Sequence, residues 1–211
     1  DDTNEQSLTQ NLQQLMKKYE VTTLECQQPD EYRLDHQLKS WAGANNIHLN
    51  WFDTEHFLTG RNSLKEYFPN SENYLMETFY RRVRKQYDIL MEGGRPTGGR
   101  WNYDKENQKK VPASHDLELP LIFSNDVSDI DELLRSSEIK TMGQANAAHL
   151  IWPVSRKQSK QLLEHFCQFG LPDFGRYQDT MATENNVGKA HWSLYHSRLS
   201  FSLNTKMLNP L

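Results

Sequence analysis

The sequence predicts an α/β doubly wound parallel sheet in an incomplete N-terminal domain, followed by the beginning of an all-α domain. Three observations carry that expectation. Helix and strand periodicities alternate through the first fifty residues, a long stretch bearing glycine and proline interrupts them, and only helical patterns follow.

In chain order, Leu8, Leu12, Leu15, Met16 and Tyr19 recur at helical spacing, and "VTTLEC" reads as a short strand. "PDEYRLDHQLKSWAGANN" places Leu34, Leu38, Trp41 and Ala42 on one side of a second helix. Asp30 is its expected N-cap, and Gly43, Asn45 and Asn46 are its expected stop. "IHLNWF" is the second strand. A parallel sheet of two strands cannot cover its own faces, and the first helix has no strand before it, so earlier strands are expected outside this chain. Residues 72–90, after Ser71, form the clearest helical pattern. At about 100° per residue, Leu75, Met76, Phe79, Tyr80, Val83, Tyr87 and Leu90 share one arc, and Arg81, Arg82, Arg84 and Lys85 the opposite one. That basic arc is either a solvated face or one lying near DNA phosphates.

Residues 1–91 are therefore expected as the later part of an α/β domain, 92–125 as one long connection, and 126–211 as the opening of the helical domain. "VSDIDELLRSSEI" is a modest helix. In "WPVSRKQSKQLLEHFCQFGLPDF", Ser155 and Gln158 form a capping box and Leu162, Leu163, Phe166 and Cys167 an apolar stripe. Gly170 and Pro172 are expected to end that helix.

Composition narrows the function classes. Mean hydropathy is −0.85 and no apolar run approaches a membrane span, so no membrane partner is expected. The first ten residues lack the basic and apolar regions of a signal peptide. Two distant cysteines, Cys26 and Cys167, fit a reducing, cytoplasmic setting and cannot complete a metal site, and His191 and His196 lack the carboxylate of an HExxH motif. A Ser/His/Asp triad stays open from sequence, although no GxSxG elbow exists. Net charge is −4, yet residues 81–110 hold nine Lys and Arg against four Asp and Glu. This local +5 leaves the remainder at −9 and marks a candidate contact surface.

The glycine-rich stretch "EGGRPTGGRWNYDKENQKK" does not match GxxxxGK[ST] and does not lie between a strand and a helix, so its spacing rejects a phosphate loop. It is either a structural linker or a surface on which Arg95, Arg100, Trp101 and Lys109 face DNA, with Tyr103 as a further stacking ring. "YHSRLSFSLN" is more pointed. Two serines bracket an arginine before a helical-looking segment, a combination suited to a pyrophosphate or to a plain serine cap beside a surface arginine.

"SRLS" followed by an apolar helix resembles the flavin-phosphate segment of the photolyase/cryptochrome superfamily. "GGRPTGGRWNYDKENQKK", "LPDFGRYQDTM" and "YHSRLSFSLNTKMLNP" together resemble its prokaryotic iron–sulfur (6-4) photolyase branch, the deoxyribodipyrimidine photolyase-related proteins. The resemblance runs over essentially the whole chain, which looks like an internal piece of a longer protein. It implies a light-driven DNA-repair lyase, monomeric when complete, that binds damaged DNA and FAD. A 4Fe-4S cluster and a lumazine antenna are implied too, with ligands mostly elsewhere, and catalytic residues are expected beyond Leu211. By resemblance, His196, Ser197, Arg198, Leu199 and Ser200 hold the FAD phosphates, and Tyr177 contacts the flavin. His196 stands where many members have threonine, Phe201 and Ser202 stand where many have a proline-containing pair, and residues 180–197 depart from the usual stretch. A cryptochrome-type photoreceptor without repair activity and an inactive truncated fragment are the alternatives.

Overall fold

The computed structural model describes residues 4–70, 73–112, 117–182 and 188–210. The chain divides into two compact units, Asp1–Val83 and Arg84–Pro210.

The first unit opens with helix α1 (Leu8–Tyr19), whose last turn carries Lys17 and Lys18 against the negative end of the helix dipole. Glu20 takes a left-handed conformation, and Val21 N donates to Met16 O at 3.0 Å, which turns the chain into strand β1 (Thr23–Gln27). Helix α2 (Tyr32–Ala44) crosses over to strand β2 (His48–Phe52), and the strands pair in parallel from Thr23 opposite His48 to Gln27 opposite Phe52. Leu38 and Ala42 are the buried positions of α2. This βαβ step is the arrangement that the alternating periodicities predict.

The capping differs from expectation. Glu31, not Asp30, caps α2, because its carboxylate reaches Leu34 N at 2.7 Å. Asp30 instead accepts from Arg61 at 2.9 Å, and Asp53 accepts from Arg61 N at 2.7 Å, so two acidic groups hold the loop after β2. At the other end Asn45 and Asn46 stop the helix as expected. Asn46 is left-handed (φ 55°) and Ile47 N donates to Ala42 O. Gly43 lies inside the helix.

After the short helix α3 (Leu64–Tyr67), helix α4 spans Met76–Gln86, shorter at both ends than the pattern 72–90. Its proposed start at Ser71 and Glu72 lies outside the described residues. Within the first unit, Phe79 packs edge-on against Tyr67 (5.1 Å) and Arg82 lies 5.2 Å over Phe68. The two arcs of α4 do not divide into core and solvent. Leu75, Met76 and Tyr80 are exposed, whereas Arg84 from the basic arc is buried, at 8% exposure. The reason is local. Arg84 Nε and Nη2 donate to the carbonyls of Ile89 (3.0 Å) and Leu90 (2.6 Å), which have no helical partner once the helix ends.

In the second unit, strands β3 (Met91–Glu92) and β4 (Arg95–Pro96) form a tight hairpin. Its two-residue turn, Gly93–Gly94, needs positive φ at both positions (55° and 77°), which glycine adopts without strain. The stretch 92–125 is thus organised at its start by a hairpin and at its end by an antiparallel bridge from Asn125 to Leu150. Helix α5 is Ser128–Ser136. Helix α6 (Arg156–His165) has Ser155 as N-cap, and Ser155 Oγ accepts from Gln158 N. The reciprocal half of the capping box is redirected. Gln158 Oε1 accepts from Val154 N at 2.8 Å, and its amide pairs with the Asn125 side chain at 2.7 and 3.2 Å.

Gly170 and Pro172 do not end this helical run. A π-helical turn, Phe166–Gly170, carries it into helix α7 (Leu171–Tyr177). Pro172 falls in the first turn of α7, where a missing N–H costs nothing. The last helix, α8, is Ser200–Asn204. Leu162, Ser159, Tyr177, Tyr195 and Ser202 are buried in this unit. Among the described residues, no helix is long and apolar enough to cross a membrane.

Candidate functional site

The three segments singled out in the sequence meet in the second unit. Asn107, in the glycine-rich segment, is buried at 8% exposure. With its side-chain amide nitrogen toward the neighbouring carbonyls, it donates to Tyr103 O (3.2 Å) and Gly175 O (2.7 Å), and its backbone carbonyl accepts from Asp179 N (3.2 Å). Lys109 N donates to Arg176 O, and Lys109 O accepts from Thr180 Oγ1. The loop is therefore bound along α7 and the residues after it. The third segment joins the extended residues before α5, because Arg198 Nη2 donates to Leu121 O.

A narrow pocket of about 30 Å³ lies beside that junction, walled by Leu117, Pro120, Phe166, Gly170 and residues 193–198. Its volume is room for about one water molecule, so it can take a small polar group but no ring system. His196, Ser197 and Arg198 line it. Leu199 and Ser200 do not. Leu199 N donates to Ser197 Oγ at 3.4 Å, and Ser200 is exposed as the first residue of α8. Tyr177 is not on the wall either. It is buried (5% exposure), and its ring stacks at 5.1 Å and 17° on Tyr195, which is on the wall.

Arg198 is the most informative of these side chains. Its backbone is left-handed (φ 56°), and its guanidinium lies 5.0 Å from the Trp192 ring centre and 6.0 Å from that of Trp152. Partial burial lowers its pKa, although a guanidinium stays charged at any physiological pH. Among the described residues no carboxylate pairs with it. A half-buried cation with one carbonyl partner retains donors for an anion, which fits a phosphate group. Sequence reasoning missed Trp152, Trp192 and Asn107, since neither tryptophan lies in a recognisable spacing with Arg198 and Asn107 is polar in a polar run.

Burial raises the pKa of Tyr195 to about 12, with smaller contributions from Asp173 and Tyr177. A phenol whose folded pKa lies above its unfolded value of about 10 contributes stability that is complete below pH ~10. That contribution disappears as pH rises from about 10 through about 12. Spectrophotometric titration should show a late-ionising tyrosine, and Tyr195→Phe should remove that component and flatten stability over this interval. A titration unchanged by the substitution would assign the late group elsewhere.

The four residues considered for DNA contact behave differently from one another. Arg95 and Lys109 are exposed. Arg100 is engaged with Glu106 at 2.9 Å and lies 4.8 Å over Tyr103. Trp101 is half-buried beneath Arg84 (5.2 Å) and Lys85 (5.6 Å). Arg100 and Trp101 thus also serve to build the loop. Among the described residues no three His, Cys, Asp or Glu side chains converge as metal ligands, and Cys26 and Cys167 are both free.

A family model described as deoxyribodipyrimidine photo-lyase-related protein matches residues 1–150. The chain belongs to this family. Among curated relatives of this photolyase-related chain, the (6-4) photolyase of Agrobacterium fabrum is 28% identical over 186 residues, which cover 87% of the chain and 35% of that protein. The uncharacterized protein R852 of Acanthamoeba polyphaga mimivirus is 28% identical over 100 residues, 46% of the chain and 51% of that protein. The chain therefore spans about a third of the first relative and about half of the second. The resemblance read from the three segments is borne out at the level of the family.

Proposed function

We propose that this photolyase-related chain is part of a light-dependent DNA-repair flavoprotein, with its second unit opening a helical FAD-binding domain and its βαβ step belonging to a doubly wound sheet. The observation that carries the reading is the 28% identity to a (6-4) photolyase across 87% of the chain. The half-buried Arg198, with no carboxylate partner among the described residues, supports a place for the cofactor's phosphates. Reduced, photoexcited FAD would supply an electron to a flipped pyrimidine lesion and recover it after repair.

The chain's own residues have narrower tasks. Arg198 and Ser197 bind a phosphate oxygen through charge-assisted and hydroxyl hydrogen bonds. The pocket of about 30 Å³ has no room for the flavin rings, which would lie outside it, with the phosphate at its mouth beside Arg198. Tyr177 supports the wall through Tyr195. Arg95 and Lys109 are exposed cations available to DNA phosphates. Among the described residues no three His, Cys, Asp or Glu side chains converge as metal ligands, and no step is assigned to an iron–sulfur cluster.

The test is repair of (6-4) lesion DNA by the complete polypeptide, reconstituted with FAD and reduced, under blue light and in the dark. Light-dependent restoration is expected. A reduced, flavin-loaded protein that restores nothing would overturn repair and leave a photoreceptor of the same family. In the same preparation, Arg95→Glu with Lys109→Glu should weaken lesion-DNA binding and make its salt dependence shallower, by about one unit of slope for each phosphate no longer neutralised. Unchanged affinity and slope would remove both residues from the DNA face.

A further inference from the structure

Trp192 is exposed at 47%. Its ring lies beside a cation. The Arg198 guanidinium carbon lies 5.0 Å from the Trp192 ring centre and 6.0 Å from Trp152, whose own ring stacks on Phe201 at 5.7 Å and 22°. Arg198 Nη2 meanwhile donates to Leu121 O.

A long arginine side chain loses rotamer freedom whenever it must hold one geometry for a ligand. Here that ordering is accomplished before any anion arrives. Two indole π-systems attract the cation without occupying its N–H groups, and one carbonyl fixes a single donor. A guanidinium has five N–H donors, so the remaining ones stay available for oxyanion contact. Truncating Trp192 would restore the arginine's freedom and remove attraction to the cation, while the charge itself remained.

We propose that Trp192, assisted by Trp152, is a positioning residue that preorganises Arg198 for binding a pyrophosphate group. This rests on the reading of Arg198 as an anion-binding side chain. Trp192 acts through Arg198 and not on the phosphate itself. Its effect depends on the aromatic face, which distinguishes it from ordinary packing.

The test is calorimetric titration of inorganic pyrophosphate into the full chain and four variants, each checked for an unchanged thermal transition. Trp192→Ala should weaken binding by roughly tenfold, Trp192→Phe should restore most of it, and Trp192→Leu, which keeps apolar bulk without a π face, should not. Arg198→Ala should abolish measurable binding. Restoration by Leu as complete as by Phe would reduce Trp192 to packing and overturn the proposal. So would unchanged binding in Trp192→Ala while Arg198→Ala still fails to bind, an outcome that leaves the arginine's role standing. Unchanged binding in Arg198→Ala would overturn the anion site itself and the proposal with it.

Discussion

Replacing Arg84 with methionine should destabilise the second unit by about 2–4 kcal/mol, the largest single-residue effect expected in this chain. Methionine keeps much of the volume but removes the donors that reach Ile89 O at 3.0 Å and Leu90 O at 2.6 Å. Leu90 O retains Thr97 N at 2.9 Å, so the heavier loss falls on Ile89 O. The guanidinium also leaves the face of Trp101. Asp88 and Leu90 are both left-handed (φ 53° and 51°), so this turn is held in a conformation that needs its partners. Arg84→Lys should recover only part of the loss, because one ammonium cannot reproduce the planar fork. Denaturant unfolding followed by tryptophan fluorescence measures the difference. A change below about 0.5 kcal/mol for Arg84→Met would place the buried arginine among neutral surface substitutions and contradict its structural role.

Gly170→Ala should cost about 1–3 kcal/mol through overpacking. A Cβ there would stand 2.8 Å from Phe166 Cδ2 and 3.2 Å from the carbonyl oxygen of Tyr195. The ring is constrained by its edge-on contact with Phe174 at 5.9 Å, and Phe166 and Tyr195 both belong to the pocket wall. Something on that wall must therefore move. Phe166→Leu in the Gly170→Ala background should recover part of the loss, because the two sites touch and their effects are not additive. Thermal unfolding of the single and double variants checks this. Strictly additive losses would contradict the steric account.

The βαβ step was legible because its signals are local. Leu38 and Ala42 repeat at helical spacing, and the two strands are short alternating runs between turn residues. The arcs of α4 were misleading for a physical reason. Helical periodicity locates apolar and basic faces, but a buried arginine such as Arg84 is explained only by carbonyls five and six residues later. Asp30 and Glu31 are equally plausible caps by residue type, and Arg61, 31 residues away from Asp30, decides between them. Gly170 and Pro172 are helix-ending residues elsewhere, yet a π-turn accommodates Gly170 and the first turn of α7 takes Pro172. At the candidate site, His196, Ser197 and Arg198 of "HSRLS" share one pocket, and their adjacency in the sequence made that grouping legible. Trp152 and Trp192 approach Arg198 from 46 and 6 positions away, a convergence that no local spacing encodes.

The functional reading turns on whether residues 193–198 hold the phosphate end of a flavin. FAD titrated into the full chain, followed by quenching of flavin fluorescence, addresses it directly when Arg198→Ala and free riboflavin are included. Saturable FAD binding is expected, weakened about 10- to 100-fold in Arg198→Ala, with riboflavin binding weakly and indifferent to the substitution. Equal FAD affinity in both proteins, or riboflavin binding that falls with the arginine, would contradict the account.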